Sequence, residues 1–436
     1  MSERAKELMR YVFPSVGGLC VMFLYNIVDG IFIGQGVGSA ALGAVNIAVP
    51  FMTAAVALVS MMPMGGATII AIRTGQGDKA GANQAFMSAL TLTVLLSVIM
   101  TVIGMVFAKE IVLLCGGRNL SHEMVAMAEE YLFYFMAFCI FNLMSLSLSV
   151  FVRNDGSPTL SFVAMCTGAV ANIVLDWLFI FPLQWGVIGA AVASGLGQVS
   201  SCLILMTHFI RRKGDLRIRK FPLNLSLMGK ICTYGLPESA SQLTTPVTTF
   251  CYNTVLASMI GDLAVSTFSV LSFIFSLVNA ILSGVVQGMQ PLWGRSYGMK
   301  DDKGLRYYFR TSLWINIIAS AVMTTGLTVF AAPAIRIFNN EPALVESGMK
   351  ALPVFALSFV PMAINYIVAG YYFSIQKTLQ ANVLSMSRGV VLKAIAIFAV
   401  PLLLGQSAVW YAPLVAEMLT LAIAAVIIFN ECRKRT

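Results

Sequence analysis

The sequence predicts an all-α polytopic membrane protein, with twelve transmembrane helices in two pseudo-symmetric six-helix lobes around a central cavity. Three observations carry that prediction. The 436 residues are 58% hydrophobic and 11% charged, with a mean hydropathy of +0.84, whereas a soluble domain carries about 25% charged residues. Apolar windows long enough to cross a bilayer recur about twelve times along the chain. The second half also repeats the first at a shift of about 223 positions, the mark of an internal duplication.

The first span, Tyr11–Ile33, follows a short lead of mixed charge with no small-residue cleavage pattern after the apolar run. That lead is read as cytoplasmic and retained. Leu42–Ile70 and Asn83–Phe107 come next, separated by the polar RTGQGD loop, and Ala126–Val150 is closed by the turn RNDGSP. Thr159–Phe181 and Val187–Phe209 complete the amino-terminal lobe, residues 1–210. The basic loop 211–225 links it to the carboxy-terminal lobe, residues 226–436. That lobe holds Leu227–Met259, Leu263–Trp293, Tyr308–Ala331, Met349–Phe373, Leu379–Leu404 and Ala408–Phe429. Pro14, Pro63, Pro237, Pro291, Pro353 and Pro361 fall within spans and mark candidate bends, because proline removes a helical hydrogen bond.

Without gaps, the shift lays Pro14 on Pro237, Gly38 on Gly261, Gly75 on Gly298, Asp78 on Asp301, Phe107 on Phe330 and Asn142 on Asn365. An even number of spans per half keeps the halves parallel and relates them by an axis along the membrane normal, with a substrate cavity expected between them. Basic residues alternate as this map requires. One set of segments holds Arg4, Lys6, Arg10, Arg73, Lys79, Arg153, the run Arg211 to Lys220, Arg295 to Arg310, Lys377 and the tail Arg433 to Arg435. The opposite set holds only Lys109, Arg118, Arg336 and Lys350. Both termini and the central loop are therefore expected in the cytoplasm; the alternative for the run Arg211 to Lys220 is a lipid-headgroup or partner site. The net charge of +9 does not point to nucleic acid, since no basic stripe with interleaved aromatics appears. The eight cysteines fall mostly inside apolar runs and read as small buried apolar residues, not as a disulfide framework.

Asp29 is a carboxyl inside the first span, which is costly unless it is paired or functional. The fifth span carries Asn172 and Asp176 in NIVLD, four residues apart and so on one helix face. In the sixth, GVIGAAVASGLGQ presents a small-residue face (Gly189, Ala190, Ala193, Gly197) that lets helices approach closely, with Ser194 beside it. If these spans meet, Asp29, Asn172, Asp176 and Ser194 supply hard oxygens for a cation such as Na⁺, or a carboxyl pair that shares a proton. A purely structural role for the acids is the alternative.

The second half carries Tyr252, Lys393 and Ile397 near the matching places, so the acid cluster belongs to one lobe. Glu238, directly after Pro237, is either a cavity carboxylate for a cationic ligand or proton, or a solvated group at the cytoplasmic mouth. Lys393 and Glu417, deep in neighbouring spans, are read as an ion pair, with a gating or coupling role as the alternative. The 25 methionines and 28 phenylalanines suit a cavity that adapts to aromatic ligands, or ordinary packing.

The stretches NIVDGIFIG and GSAALGAVNIAVPF, the RTGQGD loop with its counterpart QGMQPLWGRSYGMKD, the RNDGSP turn, and NIVLDWLFIF followed by WGVIGAAVAS resemble the multidrug and toxic compound extrusion (MATE) family, in its bacterial DinF- or MepA-like branch. The resemblance covers nearly the whole chain. It implies a monomeric antiporter of the plasma (bacterial inner) membrane that exports organic, mostly cationic drugs or toxic compounds in exchange for Na⁺ or H⁺, and so confers antibiotic resistance. It maps the family's amino-lobe cation site onto Asp29, Asn172 and Asp176, with a carbonyl from Ala190 and with Ser194 where relatives often carry Thr. Tyr131 falls where a lobe-lining tyrosine is often found. Asn365 and Tyr366 stand where other branches place an acid, which argues against a carboxy-lobe cation site.

His122 and His208 are the only histidines, so neither a metal centre beyond a Na⁺ site nor a histidine base is expected. The glycine-rich pieces lack the GxxxxGK[ST] order, so ATP is not expected to be the energy source, and no enzyme activity or cofactor is expected. Two rivals are a lipid-linked saccharide flippase of the same superfamily and a membrane-embedded transferase. The first would need several cavity cations, where only Arg388 and Lys393 lie at depth. The second would need a catalytic histidine or a carboxylate pair at one membrane face.

Overall fold

A computed structural model describes residues 3–117, 121–219, 221–222, 224–338 and 340–433. The basic positions Arg118, Lys220, Lys434 and Arg435 lie outside the described residues, which contain helices and no strand. The chain divides into two compact units, one running up to Ser239 with Gly294–Lys300 added, the other formed by Ala240–Trp293 and the residues from Asp301 onward.

The first unit is built from α1 (Glu3–Gly36), α2 (Ser39–Gly75), α3 (Lys79–Val106), α4 (Ala108–Leu114), α5 (His122–Ala137), α6 (Cys139–Asn154), α7 (Pro158–Ile180), α8 (Gly186–Ile210) and most of α9 (Leu225–Gln242). The second holds α10 (Thr244–Met259), most of α11 (Asp262–Gly298), α12 (Asp302–Val329), α13 (Ala331–Arg336), α14 (Pro342–Ala356), α15 (Phe359–Ser374) and α16 (Thr378–Met386). It ends with a π-helical turn (Ser387–Val391), α17 (Leu392–Leu404), a 3₁₀ turn (Gln406–Tyr411) and α18 (Ala412–Arg433).

Among the described residues nine helical runs are long and apolar enough to cross a membrane, and two bent pairs, α5 with α6 at 50° and α14 with α15 at 40°, add two more. The predicted seventh span, Leu227–Met259, is divided at Leu243 between α9 and α10.

Proline explains only part of the bending. Pro14, Pro63, Pro237, Pro291 and Pro353 do sit inside helices, but Pro361 lies in the first turn of α15, where its missing N–H has no partner to lose. The sharper bend, in the predicted fourth span, falls at Phe138 with no proline near it. A β-carbon on Gly195 of α8 would stand 2.2 Å from the Phe138 ring. The ring therefore fills the place that a side chain on α8 would take.

The duplication is visible in the backbone. Gly38 and Gly261 open helices with φ of 118° and 111°, a left-handed conformation that favours glycine. Asp78 and Asp301 cap α3 and α12 in the same way, accepting from Gly81 N at 2.8 Å and Gly304 N at 2.9 Å. Phe107 and Phe330, with φ of −108° and −104°, end those helices and start the short α4 and α13.

Within the first unit α7 runs along both α1 and α8. The small-residue face of α8 allows this. A β-carbon on Gly168 of α7 would meet Ser201 Oγ at 2.0 Å and the Gly197 carbonyl at 2.9 Å. Ser201 Oγ donates across the contact to the Ala164 carbonyl at 2.8 Å, so the helices are joined by a hydrogen bond as well as by packing.

Candidate cation site

The contact of α7 with α1 and α8 brings together most of the polar residues singled out in the first half. Asn172 and Asp176 of α7 are 2% and 0% exposed. The carboxyl of Asp29 on α1 lies within hydrogen-bonding reach of that of Asp176. Asn172 Nδ2 donates to Ser194 Oγ of α8 at 3.1 Å, which fixes the orientation of the amide. Four buried oxygens then receive no hydrogen bond from the described residues: Asp29 Oδ1, both carboxylate oxygens of Asp176, and Asn172 Oδ1. An unsatisfied buried acceptor costs about 1–3 kcal/mol, and more when it is charged. Such a set needs a positive partner, either a proton held between the carboxyls or a small cation that takes hard oxygen ligands.

Next to these groups is a cavity of about 120 Å³, lined by Asp29, Ser194, Tyr131 and Phe138 together with Tyr25, Asn142 and Gln198. Tyr131 of α5 is buried and within electrostatic reach of both acids. Ala190 is buried one turn before Ser194, in the core of the unit. Tyr25 and Gln198 were not singled out from the sequence, and Asn142 was named there only as the repeat partner of Asn365. Tyr25 and Gln198 carried a signal there, since Tyr25 precedes Asp29 by four residues and Gln198 follows Ser194 by four, so each pair shares a helix face.

The other candidates lie elsewhere. Glu238 is half-buried at the end of the first unit, within electrostatic reach of Arg153. Lys393 and Glu417, 2% and 1% exposed, face each other in the second unit with Nζ 3.7 Å from Oε1. Asn365 holds that carboxylate, its Nδ2 donating at 2.8 Å to both the Glu417 carbonyl and Oε2. His208 has a structural partner. Its Nε2 lies 2.8 Å from Asp155 Oδ2, while the backbone N–H groups of Asp215 and Leu216 donate to Asp155 Oδ1, tying the basic loop to the end of α6.

The sequence profile of a family described as MatE matches residues 14–178 and again 237–398, two segments whose starts are one repeat apart. The chain is 23% identical over 443 residues to the multidrug export protein MepA of Staphylococcus aureus (strain MRSA252), covering 99% of this chain and 94% of that protein. It is 23% identical over 434 residues to the MepA of Staphylococcus saprophyticus, with the same coverage. Its fold is similar to an outward-facing structure of a multidrug resistance MATE family transporter of the MOP superfamily, with a TM-score of 0.91 and 23% identity, covering 100% of this chain and 98% of the other.

Proposed function

The chain belongs to the MatE family, and from that premise we propose that it is a secondary active multidrug exporter whose coupling cation, Na⁺ or H⁺, binds at the Asp29–Asp176 pair of the first unit. The single observation that carries the site is the group of four buried oxygens without a donor on α1 and α7. A cation arriving there supplies the missing positive partner, draws Asp29 of α1 toward Asp176 of α7, and so favours one arrangement of these helices over another. Export of an organic cation follows by linkage: if loading the pocket weakens drug binding, the drug in turn weakens cation binding by the same factor. Asn172 and Ser194 position the acids, and Tyr25, Tyr131 and Gln198 close the pocket.

The distribution of basic residues supports a place in the plasma membrane with both termini cytoplasmic. The relatives favour export over the flippase and transferase readings. The test is dye export by the full chain in vesicles with an imposed Na⁺ or pH gradient. Asp29→Asn should insert normally and export at background rate; export at the wild-type rate would remove the site from the mechanism.

A further inference from the structure

The basic loop after α8 takes no part in the acid pocket, yet it is held in a fixed shape. Its inner side is anchored to the first unit. Leu216 is buried in that unit's core, the Arg217 N–H donates to Asn83 Oδ1 at 2.6 Å, and a β-carbon on Gly214 would stand 1.7 Å from Asp155 Oδ2, an approach that only glycine allows. The two acids of this anchor are engaged. Asp155 accepts from the N–H groups of Asp215 and Leu216 and faces His208, while Asp215 pairs with Lys79 at 2.9 Å. Arg217 turns back on the loop and donates to the carbonyls of Leu216 and Arg212.

The outer side is cationic. Arg211, Arg212, Lys213 and Arg219 are exposed, and none of the four makes an ion pair among the described residues. Like charges on a fixed backbone repel one another, and an anionic surface relieves that repulsion. Two isoleucines accompany them. Ile210, the last residue of α8, is 73% exposed where an apolar span gives way to the run of cations, and Ile218, beside Arg219, is 47% exposed. Cations next to exposed apolar side chains match the bilayer interface, where headgroup phosphates meet acyl chains. A nucleic acid or an acidic peptide would use the charges and leave the isoleucines in water.

We propose that the loop 211–219 is a docking surface for anionic phospholipid, with Arg211, Arg212, Lys213 and Arg219 on the headgroup phosphates and Ile210 and Ile218 in the acyl boundary. The bound lipid holds the link from α8 to α9 at the level of the headgroups. The proposal goes beyond the export reading and does not depend on the acid pocket.

Phosphatidylglycerol is the probe and phosphatidylcholine its zwitterionic control, each titrated into the purified full chain and counted by native mass spectrometry. The wild type should retain phosphatidylglycerol in preference, and less of it as the ionic strength rises. Arg211→Gln with Arg219→Gln should weaken phosphatidylglycerol binding about fivefold for each cation removed, while phosphatidylcholine binding and thermal melting stay unchanged, because both side chains are exposed. Ile218→Ser should weaken it severalfold through lost apolar contact. The wild-type comparison decides even where a variant fails to fold: equal retention of the two lipids would overturn the proposal. Phosphatidylglycerol binding unchanged in the double variant or in Ile218→Ser would overturn it as well. Full displacement of the lipid by inorganic phosphate at the same concentration would also do so, since it would mark a site for the free ion.

Discussion

The contact between α7 and α8 sets the cation pocket, so Gly197→Ala should damage both stability and coupling. A β-carbon at position 197 would stand 2.8 Å from the Gly168 carbonyl oxygen, 3.0 Å from Asn172 Cβ and 3.3 Å from Asn172 N. Ordinary contacts begin at 3.4 Å. All three atoms belong to the backbone or stand next to it and cannot swing aside, so α8 must retreat by about 0.5 Å. Overpacking of this kind costs about 1–3 kcal/mol. The same shift reaches Ser194, three residues earlier on α8, whose 3.1 Å bond from Asn172 then lengthens past the limit of a hydrogen bond. Loss of that bond removes about 1 kcal/mol from the ordered pocket, or about fivefold in cation affinity. Thermal unfolding of the purified protein should show the first effect, and the cation concentration for half-maximal export in vesicles the second. A Gly197→Ala protein with wild-type melting and wild-type cation dependence would refute the reasoning.

Gly326→Ala is the contrasting substitution, since a β-carbon there meets nothing within 4 Å in the interior of α12; it should raise stability by about 1 kcal/mol, read by the same melting assay. Ser194→Ala removes the hydroxyl that orients Asn172 and leaves its buried Nδ2 without that acceptor, so it should raise the half-saturating cation concentration severalfold and lower stability by about 1–3 kcal/mol, read by the same melting assay. Asp155→Ala strips the partners from His208 and from the N–H groups of Asp215 and Leu216, and should destabilise the protein by about 2–4 kcal/mol, with limited proteolysis of the 211–219 loop as the readout.

Much of this arrangement was legible in the sequence, for physical reasons that also explain what was not. Asp29 stood out because a charge in an apolar window is expensive, and Asn172 with Asp176 because four residues make one helical turn. The repeat predicted paired features that the backbone shows, such as the caps at Asp78 and Asp301. Tyr25 and Gln198 went unmarked, and Asn142 was noted only as the repeat partner of Asn365, because a neutral polar side chain in a span costs too little to draw notice alone. The bend at Phe138 has no local breaker, and its ring packs against Gly195, a glycine more than fifty residues away on another helix, a contact that the pattern of its own span does not show. Asn365 read as a departure from relatives that carry an acid, yet it holds Glu417, a role set by the packing of α15 on α18.

The most direct measurement is release of a bound organic cation from the purified protein by the coupling ion. With ethidium bound, Na⁺ is titrated at fixed pH, and separately the pH is lowered without Na⁺. If the Asp29–Asp176 pocket carries the coupling cation, one of these additions should release dye from the wild type and leave it bound to the variant with Asp29→Asn and Asp176→Asn. Equal release from both proteins, or no release from the wild type by either ion, would contradict the assignment.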